Sequence, residues 1–380
     1  MAIQKVLVTG GAGYIGSHLV DALIARDYSV TVLDNLEPQV HRSGHWPSYA
    51  NAEATYIHGD VRDREALASC VLAVDAVVHF AAAVGVGQSM YELERYVGVN
   101  TGATGSLLDI LVNETHDVRK LIVASSVGVY GEGAYQCRSC GPQFPPLRDA
   151  TQLAERNWEP KCPKCGAAVV GQATSEDTPL YRDNIYAMTK YHQEEMALLI
   201  GRTYGIPTVT PRFFNVFGPR QSLSNPYAGV AAIFLGRLLN DRAPVVFEDG
   251  GQLRDFVSIH DVTACLICML ERDGADFMPV NIGSGTRITI LEIARTLARL
   301  TGKSIEPEVT RTGRTFDIRH CFADITRASE SLDWCPTTTF EEGMSELIEW
   351  AEGSDERPID LFEHALAELD TRGLLATPKS

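Results

Sequence analysis

A tyrosine and a lysine four residues apart give the first sign of chemistry in this sequence of 380 residues. Tyr186 and Lys190 stand in the run Tyr-Ala-Met-Thr-Lys, and on a helix this spacing places both side chains on one face. A nearby ammonium stabilises phenolate, which lowers the tyrosine pKa and makes a general base that is usable near neutral pH. Ser126, expected at the end of a strand, could hydrogen-bond the same substrate oxygen. The spacing alone is also typical of a solvated helix face.

Three glycines precede a segment with helical spacing. Gly10, Gly13 and Gly16 follow an apolar run and open an amphipathic stretch. Such glycines permit a tight turn, close approach of a pyrophosphate and close helix packing, while the helix N-terminus supplies N–H donors. The pattern predicts the phosphate-binding turn of a dinucleotide site.

Acidic residues at the ends of the next strands favour one cofactor. Asp34 stands 18 residues after Gly16, where a carboxylate accepts hydrogen bonds from the adenosine ribose and repels a 2′-phosphate, so NAD is favoured over NADP. Asp60 follows the third strand and could meet the adenine amino group, or it could cap a helix. The other residues predicted to contact the cofactor, with Tyr186 and Lys190, are Tyr14, Ile15, Asn35, Val61, Phe80, Ala81, Ala82, Asn100 and Phe214.

The elements that must position these residues alternate between apolar runs and helical segments. We predict strands over 5–9, 28–33, 54–58, 76–80, 120–124 and 207–211, and helices over 14–26, 289–300 and 340–350. This order predicts an α/β fold with a Rossmann-type doubly wound parallel sheet and a smaller mixed α/β substrate lobe. We expect an NAD-binding domain over 1–210, interrupted by a zinc-ribbon-like insertion at about 134–173, and a substrate-binding lobe over 211–380.

Four cysteines in the insertion form two C-x-x-C pairs. Cys137 and Cys140 precede Cys162 and Cys165 by 21 intervening residues. Two such pairs supply tetrahedral thiolate coordination, and four cysteines leave no open position for water, so we predict a structural zinc site. The alternative is a set of buried cysteines without metal.

The glycine turn, Ser126 ahead of the run Val-Tyr-Gly, and the Tyr-x-x-x-Lys pair together resemble the extended short-chain dehydrogenase/reductase family. That resemblance implies an NAD-dependent nucleotide-sugar epimerase. In it, Tyr186 takes a proton from a sugar hydroxyl, Ser126 shares the hydrogen bond, and Lys190 tunes the tyrosine and holds the nicotinamide ribose. Hydride passes to NAD, giving a keto sugar, and returns to the opposite face. Val127 and Gly128 stand where the family's 4,6-dehydratases carry Asp-Glu, which argues against dehydration.

The resemblance also assigns the substrate side of the site. Asn215 and Arg220 resemble the segment that lies by the nicotinamide and then meets the sugar phosphates. Arg254, Arg314 and Asp317 resemble the later segment that grips the nucleotide, where a bidentate guanidinium suits phosphate. With Ser126, they form the predicted substrate site.

The cysteine insertion, with the runs 221–227 and 247–250, is similar to the dTDP-L-rhamnose 4-epimerase branch of the family, which interconverts that sugar with dTDP-6-deoxy-L-talose. UDP-glucose or UDP-glucuronate 4-epimerisation is the nearest alternative. A nucleotide-sugar dehydratase or reductase and a non-catalytic NAD-binding sensor are the others.

Bulk properties limit the partners. Formal net charge is −16, from 49 acidic and 33 basic side chains, and this field repels nucleic acids and anionic membranes. No apolar run reaches the roughly 18 residues that a spanning helix needs. We therefore expect a cytoplasmic enzyme with a nucleotide-sugar substrate and neither a nucleic acid nor a membrane partner, and the family resemblance implies a homodimer.

Overall fold

A parallel sheet forms the centre of the computed structural model, which describes residues 3–227, 229–354 and 358–376. Residues 1–2 and 377–380, which the predicted domains include, lie outside the described residues. The strands are β1 (Lys5–Thr9), β2 (Ser29–Asp34), β3 (Thr55–His58), β4 (Ala76–His79), β5 (Lys120–Val123), β6 (Ser125–Ser126), β7 (Tyr135–Cys137), β8 (Gly141–Gln143), β9 (Val169–Gly171), β10 (Thr208–Phe213), β11 (Asn215–Phe217), β12 (Val245–Val246), β13 (Leu253–Arg254), β14 (Phe256–Ser258), β15 (Met278–Ile282), β16 (Ile288–Thr289), β17 (Glu308–Val309), β18 (Gly313–Arg314), β19 (His320–Cys321) and β20 (Leu375–Ala376).

Helices alternate with the strands along the chain. They are α1 (Tyr14–Ile24), α2 (Arg64–Val71), α3 (Val86–Ser89), α4 (Leu93–Tyr96), α5 (Ala103–Asn113), α6 (Ala150–Ala154), α7 (Ile185–Tyr204), α8 (Val230–Leu239), α9 (Ile259–Glu271), α10 (Ile290–Leu300), α11 (Thr326–Leu332), α12 (Phe340–Glu352) and α13 (Phe362–Thr371). A π-helical turn covers Val97–Gly102, and a 3-10 turn covers Val127–Tyr130. Within the described ranges, none of these helices combines the length and the apolar character that a membrane crossing needs.

The central sheet has eight strands in the order β3–β2–β1–β4–β5–β10–β15, with β6 also paired to β10. Every pair is parallel. The chain runs outward from β1 to β3, then begins again at β4 on the other side of β1. This reversal opens a crevice at the carboxyl ends of β1 and β4, where ligands bind in folds of this kind. The predicted doubly wound α/β sheet is confirmed.

Alternate residues of β1 belong to different halves of the core. Val6 and Val8 pack in a cluster with residues of α1 and α9, whereas Leu7 packs with residues of α2, α5 and α7. Burying each such side chain contributes about 1.5–3 kcal/mol. Both faces are covered, which explains why the strands read as nearly continuous apolar runs.

The seventh position of the sheet comes from beyond the predicted domain boundary. β15 pairs with β10 along its whole length, from Val209 opposite Met278 to Phe213 opposite Ile282. The sheet therefore takes residues from 211–380 as well as from 1–210. β15 was not predicted from the sequence, because an apolar run does not indicate which sheet a strand will join.

A break in one strand positions the two adjacent serines. β5 and β6 both pair with β10 in one register, but the pairing is interrupted at Ala124, which that register places opposite Pro211. Proline has no N–H to donate, so the ladder cannot be continuous there. The chain resumes pairing at Ser125 and Ser126, beside the carboxyl end of the sheet.

Two smaller parts complete the fold. Within 134–173, β7 is flanked by β8 and β9 in a small antiparallel sheet, and α6 lies between them in the chain. In the second lobe, α8, α10 and α12 enclose an apolar core that includes Phe217 and Phe256. Helix α13 follows these elements, and β20 pairs with β18.

Asp255 connects three segments of the second lobe. Its side chain is fully buried and accepts hydrogen bonds from the backbone N–H groups of Ser284, Gly285 and Ala323 at 2.6–3.1 Å and from the Ser284 hydroxyl at 2.8 Å. Its backbone carbonyl accepts from both nitrogens of Asn215, at 3.1 Å from the main chain and 2.9 Å from the side chain. Asp255 therefore holds these three segments together next to Arg254 in the chain.

Asp255→Asn should lower the free energy of unfolding by about 2 kcal/mol, because the new amide places donors against backbone N–H groups that need acceptors. Urea unfolding followed by circular dichroism measures this loss. Asp177→Asn is the control, since the Asp177 side chain is 83% exposed and its removal should change the free energy by less than about 0.5 kcal/mol. Equal losses in the two variants would contradict the connecting role of Asp255.

Candidate active site

One cavity of about 1340 Å³ opens at the carboxyl ends of the central strands. Small-ligand sites typically enclose about 300–1,000 Å³, so this volume has room for a cofactor and a substrate together. Every residue predicted to bind cofactor or substrate, or to catalyse, contributes to its lining except Asn100. The structure thus brings the predicted site residues together.

The glycine turn approaches neighbouring backbone too closely for side chains. Gly10 has a φ of +70°, and a Cβ there would lie 2.8 Å from the Ala81 nitrogen. A Cβ on Gly16 would lie 2.4 Å from the Gly10 carbonyl oxygen. Helix α1 then begins after Gly13 with no side-chain cap and no acidic residue in its first turn. Within the part of the chain that the structure describes, no side chain caps the N–H groups of its first turn, so they can receive an anion such as a cofactor pyrophosphate.

Asp34 ends β2 beside this turn. One carboxylate oxygen accepts from the Ala12 N–H at 3.1 Å and the other from the Leu36 N–H at 2.9 Å. Two carboxylate oxygens together accept about four hydrogen bonds, so the group keeps acceptor capacity for ribose hydroxyls. Its negative charge opposes a 2′-phosphate. The chain's own residues therefore fit NAD.

The helix-capping alternative for Asp60 is wrong. Asp63 caps α2, accepting from the backbone N–H groups of Glu65 and Ala66. Asp60 instead pairs with Arg62 at 2.8 Å and accepts from the Asn35 amide at 3.0 Å, and the Arg62 hydrogen bond lowers the Asp60 pKa to about 2. The carboxylate lines the cavity as an anion, next to Asn35.

Asn100 is the predicted cofactor residue that the cavity does not include. It is fully buried, and its amide nitrogen donates to the Ala83 carbonyl at 3.0 Å and to the Thr189 hydroxyl at 2.9 Å, while its oxygen accepts from the Ala83 N–H at 2.8 Å. Both amide protons are used. The side chain holds the backbone after β4 against α7 and has no donor left for a cofactor.

Helix α7 carries the tyrosine and the lysine on one face, and Asn184 caps it by accepting from the Ala187 N–H at 2.8 Å. Ser126 hydrogen-bonds Tyr186, and its Oγ also accepts from the Gly128 N–H at 3.2 Å. Lys190 is 3% exposed.

The pKa shifts of Tyr186 and Lys190 differ from what the sequence predicts. Burial raises the pKa of Tyr186, and the hydrogen bond with Ser126 opposes that effect without reversing it. Burial likewise lowers the pKa of Lys190 to about 7, although the Glu194 carboxylate acts against it. Glu194 pairs with Arg212, and the lysine Nζ donates to the Gln193 side chain at 2.8 Å. The predicted lowering of the Tyr186 pKa by the Lys190 ammonium is therefore wrong, because burial raises that pKa and the opposing effect comes from Ser126.

The three arginines predicted to bind substrate all line the cavity, and their guanidinium groups have different partners. Arg220 pairs with Asp21 at 2.7 Å, and Arg314 pairs with Asp317 at 2.7 Å. Arg254 donates to backbone carbonyls, and within the described residues it forms no ion pair with a carboxylate. A guanidinium that is oriented by carbonyls and has no direct carboxylate partner suits an anionic ligand.

Sequence reasoning missed the helix that covers part of this cavity. Residues of α13 with the spacing i, i+3, i+4, i+7 line it, a pattern that could have revealed the helix: Phe362, Ala365, Leu366 and Leu369. The hydroxyls of Tyr91 and Tyr227 both donate to Glu368 of α13, at 2.9 and 2.8 Å. These bonds hold α13 against the rest of the site.

The four cysteines of the insertion converge outside the cavity. Their sulfur atoms all lie within 4.8 Å of one another, and those of Cys137 and Cys165 are 3.7 Å apart. Tetrahedral zinc with Zn–S bonds of about 2.3 Å separates its sulfurs by roughly 3.8 Å. The cluster has the dimensions of a four-thiolate metal site.

The chain matches the model of the NAD dependent epimerase/dehydratase family over residues 6–149 and 163–283. It is 34% identical over 354 residues to dTDP-L-rhamnose 4-epimerase of Burkholderia thailandensis, with 91% of this chain and 94% of that protein covered. The chain therefore belongs to the NAD-dependent epimerase/dehydratase family. The interval 150–162, which the family match leaves out, falls inside the predicted insertion.

Solved structures give the same fold. UDP-glucose 4-epimerase of Thermotoga maritima, solved with UDP-glucose, is similar with a TM-score of 0.77 and 30% identity, over 93% of this chain and 100% of that one. UDP-glucuronic acid 4-epimerase of Bacillus cereus, solved with UDP-glucuronic acid and NAD, gives 0.74 and 26%, over 91% and 98%. Each relative has its own sugar, so the fold does not select one.

Lys190→Met should change stability in a pH-dependent way. The folded pKa is lowered to about 7 from 10.5, so between these values the unfolded chain binds a proton that the folded chain does not. Wild-type stability then gains up to about 1.4 kcal/mol per pH unit from this group above pH 7, while the penalty is complete below pH 7. The melting temperature of the variant minus that of wild type should be constant below pH 7 and fall from pH 7 to pH 9.5.

Differential scanning fluorimetry of cofactor-free protein measures these melting temperatures. Lys5→Met is the matched control, because it makes the same substitution at a lysine that is exposed on β1. A constant difference for Lys190→Met over the whole range would mean that Lys190 stays protonated in the folded protein.

Proposed function

We propose that the chain is an NAD-dependent nucleotide-sugar 4-epimerase that interconverts dTDP-L-rhamnose and dTDP-6-deoxy-L-talose. The proposal rests on one observation: Ser126, Tyr186 and Lys190 line the same cavity as Arg254, and that cavity is large enough for two ligands. The Arg254 guanidinium has no direct carboxylate partner among the described residues. Supporting it are membership of the family and the 34% identity to a dTDP-L-rhamnose 4-epimerase.

The glycine turn and the N-terminus of α1 would hold the NAD pyrophosphate, and Asp34 would hold the adenosine ribose. Bound NAD would supply the hydride acceptor and donor that inversion of the sugar carbon requires. Tyr186 Oη would remove the proton of the sugar hydroxyl, with Ser126 hydrogen-bonded to the same oxygen. A charged Lys190, whose residue is 3% exposed, would stabilise the resulting phenolate. Arg254 would bind the nucleotide phosphates.

Two features separate this proposal from other activities. Val127 and Gly128 follow Ser126, so the chain offers no carboxylate pair there to eliminate water. A non-catalytic sensor would have no need for the tyrosine and lysine, and both are present on α7. UDP-glucose and UDP-glucuronate remain the alternative substrates, because they require the same three residues.

Incubation of the purified protein with dTDP-L-rhamnose, UDP-glucose and UDP-glucuronate, without added cofactor, tests the proposal by NMR of the sugar protons. We expect inversion at C4 of dTDP-L-rhamnose with no net formation of NADH. Tyr186→Phe should lower kcat by about 10²–10⁴-fold while the bound NAD content stays that of wild type. A 4-keto-6-deoxy product would indicate a dehydratase, and retained NAD with no turnover of any sugar would indicate a sensor.

We also propose that the cysteine cluster binds one structural zinc ion. The four sulfurs supply the donor set and nearly the spacing that tetrahedral zinc requires. Metal would bind the four cysteines in their thiolate form.

Metal analysis by mass spectrometry should find about one zinc per chain. The double variant Cys162→Ser/Cys165→Ser should lose it, because two thiolate ligands are removed. Cys335→Ser is the control, since Cys335 is an exposed cysteine outside the cluster and its loss should leave the zinc content unchanged. Equal zinc in both variants would place the metal elsewhere.

The family resemblance further supports a homodimer, and we propose a cytoplasmic location. Exposed apolar side chains on α4, α7 and the π-helical turn, among them Leu93, Val97 and Leu199, are suitable for burial in a subunit contact. Sedimentation velocity measures the oligomeric state directly.

A further inference from the structure

Three backbone carbonyls determine the orientation of Arg254. Its Nη2 donates to the Ile318 carbonyl at 2.7 Å, and its Nη1 donates to the carbonyls of Arg319 at 3.0 Å and Leu253 at 2.8 Å. The position of the guanidinium in the cavity therefore depends on the segment 317–319. A displacement of that segment would move the guanidinium while leaving Arg254 itself intact.

The same segment is held from its other side by residues in and beside the insertion. Arg148 Nη2 donates to the Asp317 carbonyl at 2.9 Å, and the Arg319 N–H donates to the Glu132 carboxylate at 2.7 Å. Arg148 and Arg254 thus bind consecutive carbonyls of one short stretch of chain. Whatever fixes Arg148 also fixes the segment that aims Arg254.

Arg148 lies at the centre of a buried ionic network. Its side chain is 1% exposed, and those of Glu132 and Glu248 are not exposed at all. Its Nε is 3.3 Å from Glu132, and its Nη1 is 2.8 Å from Glu248 and 3.0 Å from the Trp158 carbonyl. The other oxygen of Glu248 accepts from Arg319 at 2.9 Å. Only a planar, forked guanidinium reaches these partners in several directions at once.

The network extends into both arms of the insertion, meaning the two segments that carry the first and the second cysteine pair. Tyr135, on the strand that leads to the first cysteine pair, donates its hydroxyl to Glu132 at 2.9 Å. Glu159, three residues before the second pair, accepts from Arg319 Nε at 2.9 Å and hydrogen-bonds His320 Nε2 at 2.9 Å. Metal bound between the pairs would tie the two arms to each other, and both arms grip residues 317–320.

The insertion is not placed to act as a lid. Of the described residues 134–173, Leu147 alone lines the cavity. Tyr135, Arg148 and Glu159 of the insertion instead make polar contacts with the segment behind Arg254.

We propose that Arg148 is a positioning residue for Arg254, and that the metal-bound insertion sets the affinity for the nucleotide without contacting it. The inference rests on the proposed function in one respect, that Arg254 binds the phosphates of the nucleotide. Metal loss or loss of the Arg148 fork loosens residues 317–319, and the guanidinium that they orient no longer meets the phosphates at a fixed angle. The NAD half of the cavity does not depend on this network.

Isothermal titration calorimetry of the full-length holoenzyme with dTDP, a nucleoside diphosphate without a sugar, measures the coupling. Arg148→Lys keeps the charge and removes the fork, so the dissociation constant for dTDP should rise about tenfold or more. The KM of the nucleotide sugar should rise by a similar factor with a much smaller change in kcat, and the NAD content should match wild type. Arg156→Lys is the matched control, because Arg156 lies exposed in the same insertion.

A second variant covers the case in which Arg148→Lys does not fold. Glu159→Gln removes the charge of a side chain that is 48% exposed, so we expect this variant to fold, and it should weaken dTDP binding by about threefold. Glu155→Gln, at an exposed neighbouring position, should have no effect. Removal of metal from wild type by EDTA should weaken dTDP binding, and added zinc should restore it while NAD content stays constant.

Wild-type affinity for dTDP in folded Arg148→Lys, or in Glu159→Gln when Arg148→Lys cannot be obtained, would overturn the inference. Unchanged affinity in metal-free protein would overturn the part assigned to the metal. If wild type itself binds neither dTDP nor UDP, the proposed function has failed and the inference fails with it. Failure of the variants to alter binding in a protein that does bind dTDP is therefore a distinct result.

Discussion

Contact between backbones at the carboxyl end of β1 is the constraint on which the active site depends. Gly10 and Gly16 have no room for a Cβ, because the backbones of β1, of α1 and of the chain after β4 meet there. This contact places the N-terminus of α1 at the point where the sheet order reverses. The cofactor half of the cavity is built around it, and α7 then lies where Tyr186 and Lys190 face the space that remains.

The sequence predicted the parts of the fold that have a local cause. The strand starting at Lys5 and the helix starting at Tyr14 begin where the apolar pattern placed them, since period and glycine punctuation are local properties. β15 was not predicted, because the residues that it pairs with lie 69 positions earlier in the chain, as Val209 opposite Met278 shows. Asn100 has the right residue type for a cofactor contact, but burial and its partners decide its role, and neither can be read from the sequence. The pKa of Lys190 depends on burial in the same way.

In the insertion, the two C-x-x-C pairs predicted a metal site, and the four sulfur atoms do lie close together. No sequence pattern indicated the ionic network behind Arg254, because its members come from separate regions, as the sequence separation of 187 between Glu132 and Arg319 illustrates. Each of these residues resembles an ordinary surface charge when it is considered alone. Glu248 adopts a φ of +55°, a conformation that costs free energy, and the ion pairs on both sides of its carboxylate offset that cost.

The tie between the cysteine arms and the segment 317–319 has a thermodynamic consequence under the proposed coupling. If metal strengthens nucleotide binding by some factor, the nucleotide must strengthen metal retention by the same factor, because linkage between two binding equilibria is reciprocal. Enzyme that is saturated with substrate would then release zinc less readily than enzyme without substrate. Under zinc scarcity, the protein molecules engaged in turnover would be the last to be demetallated.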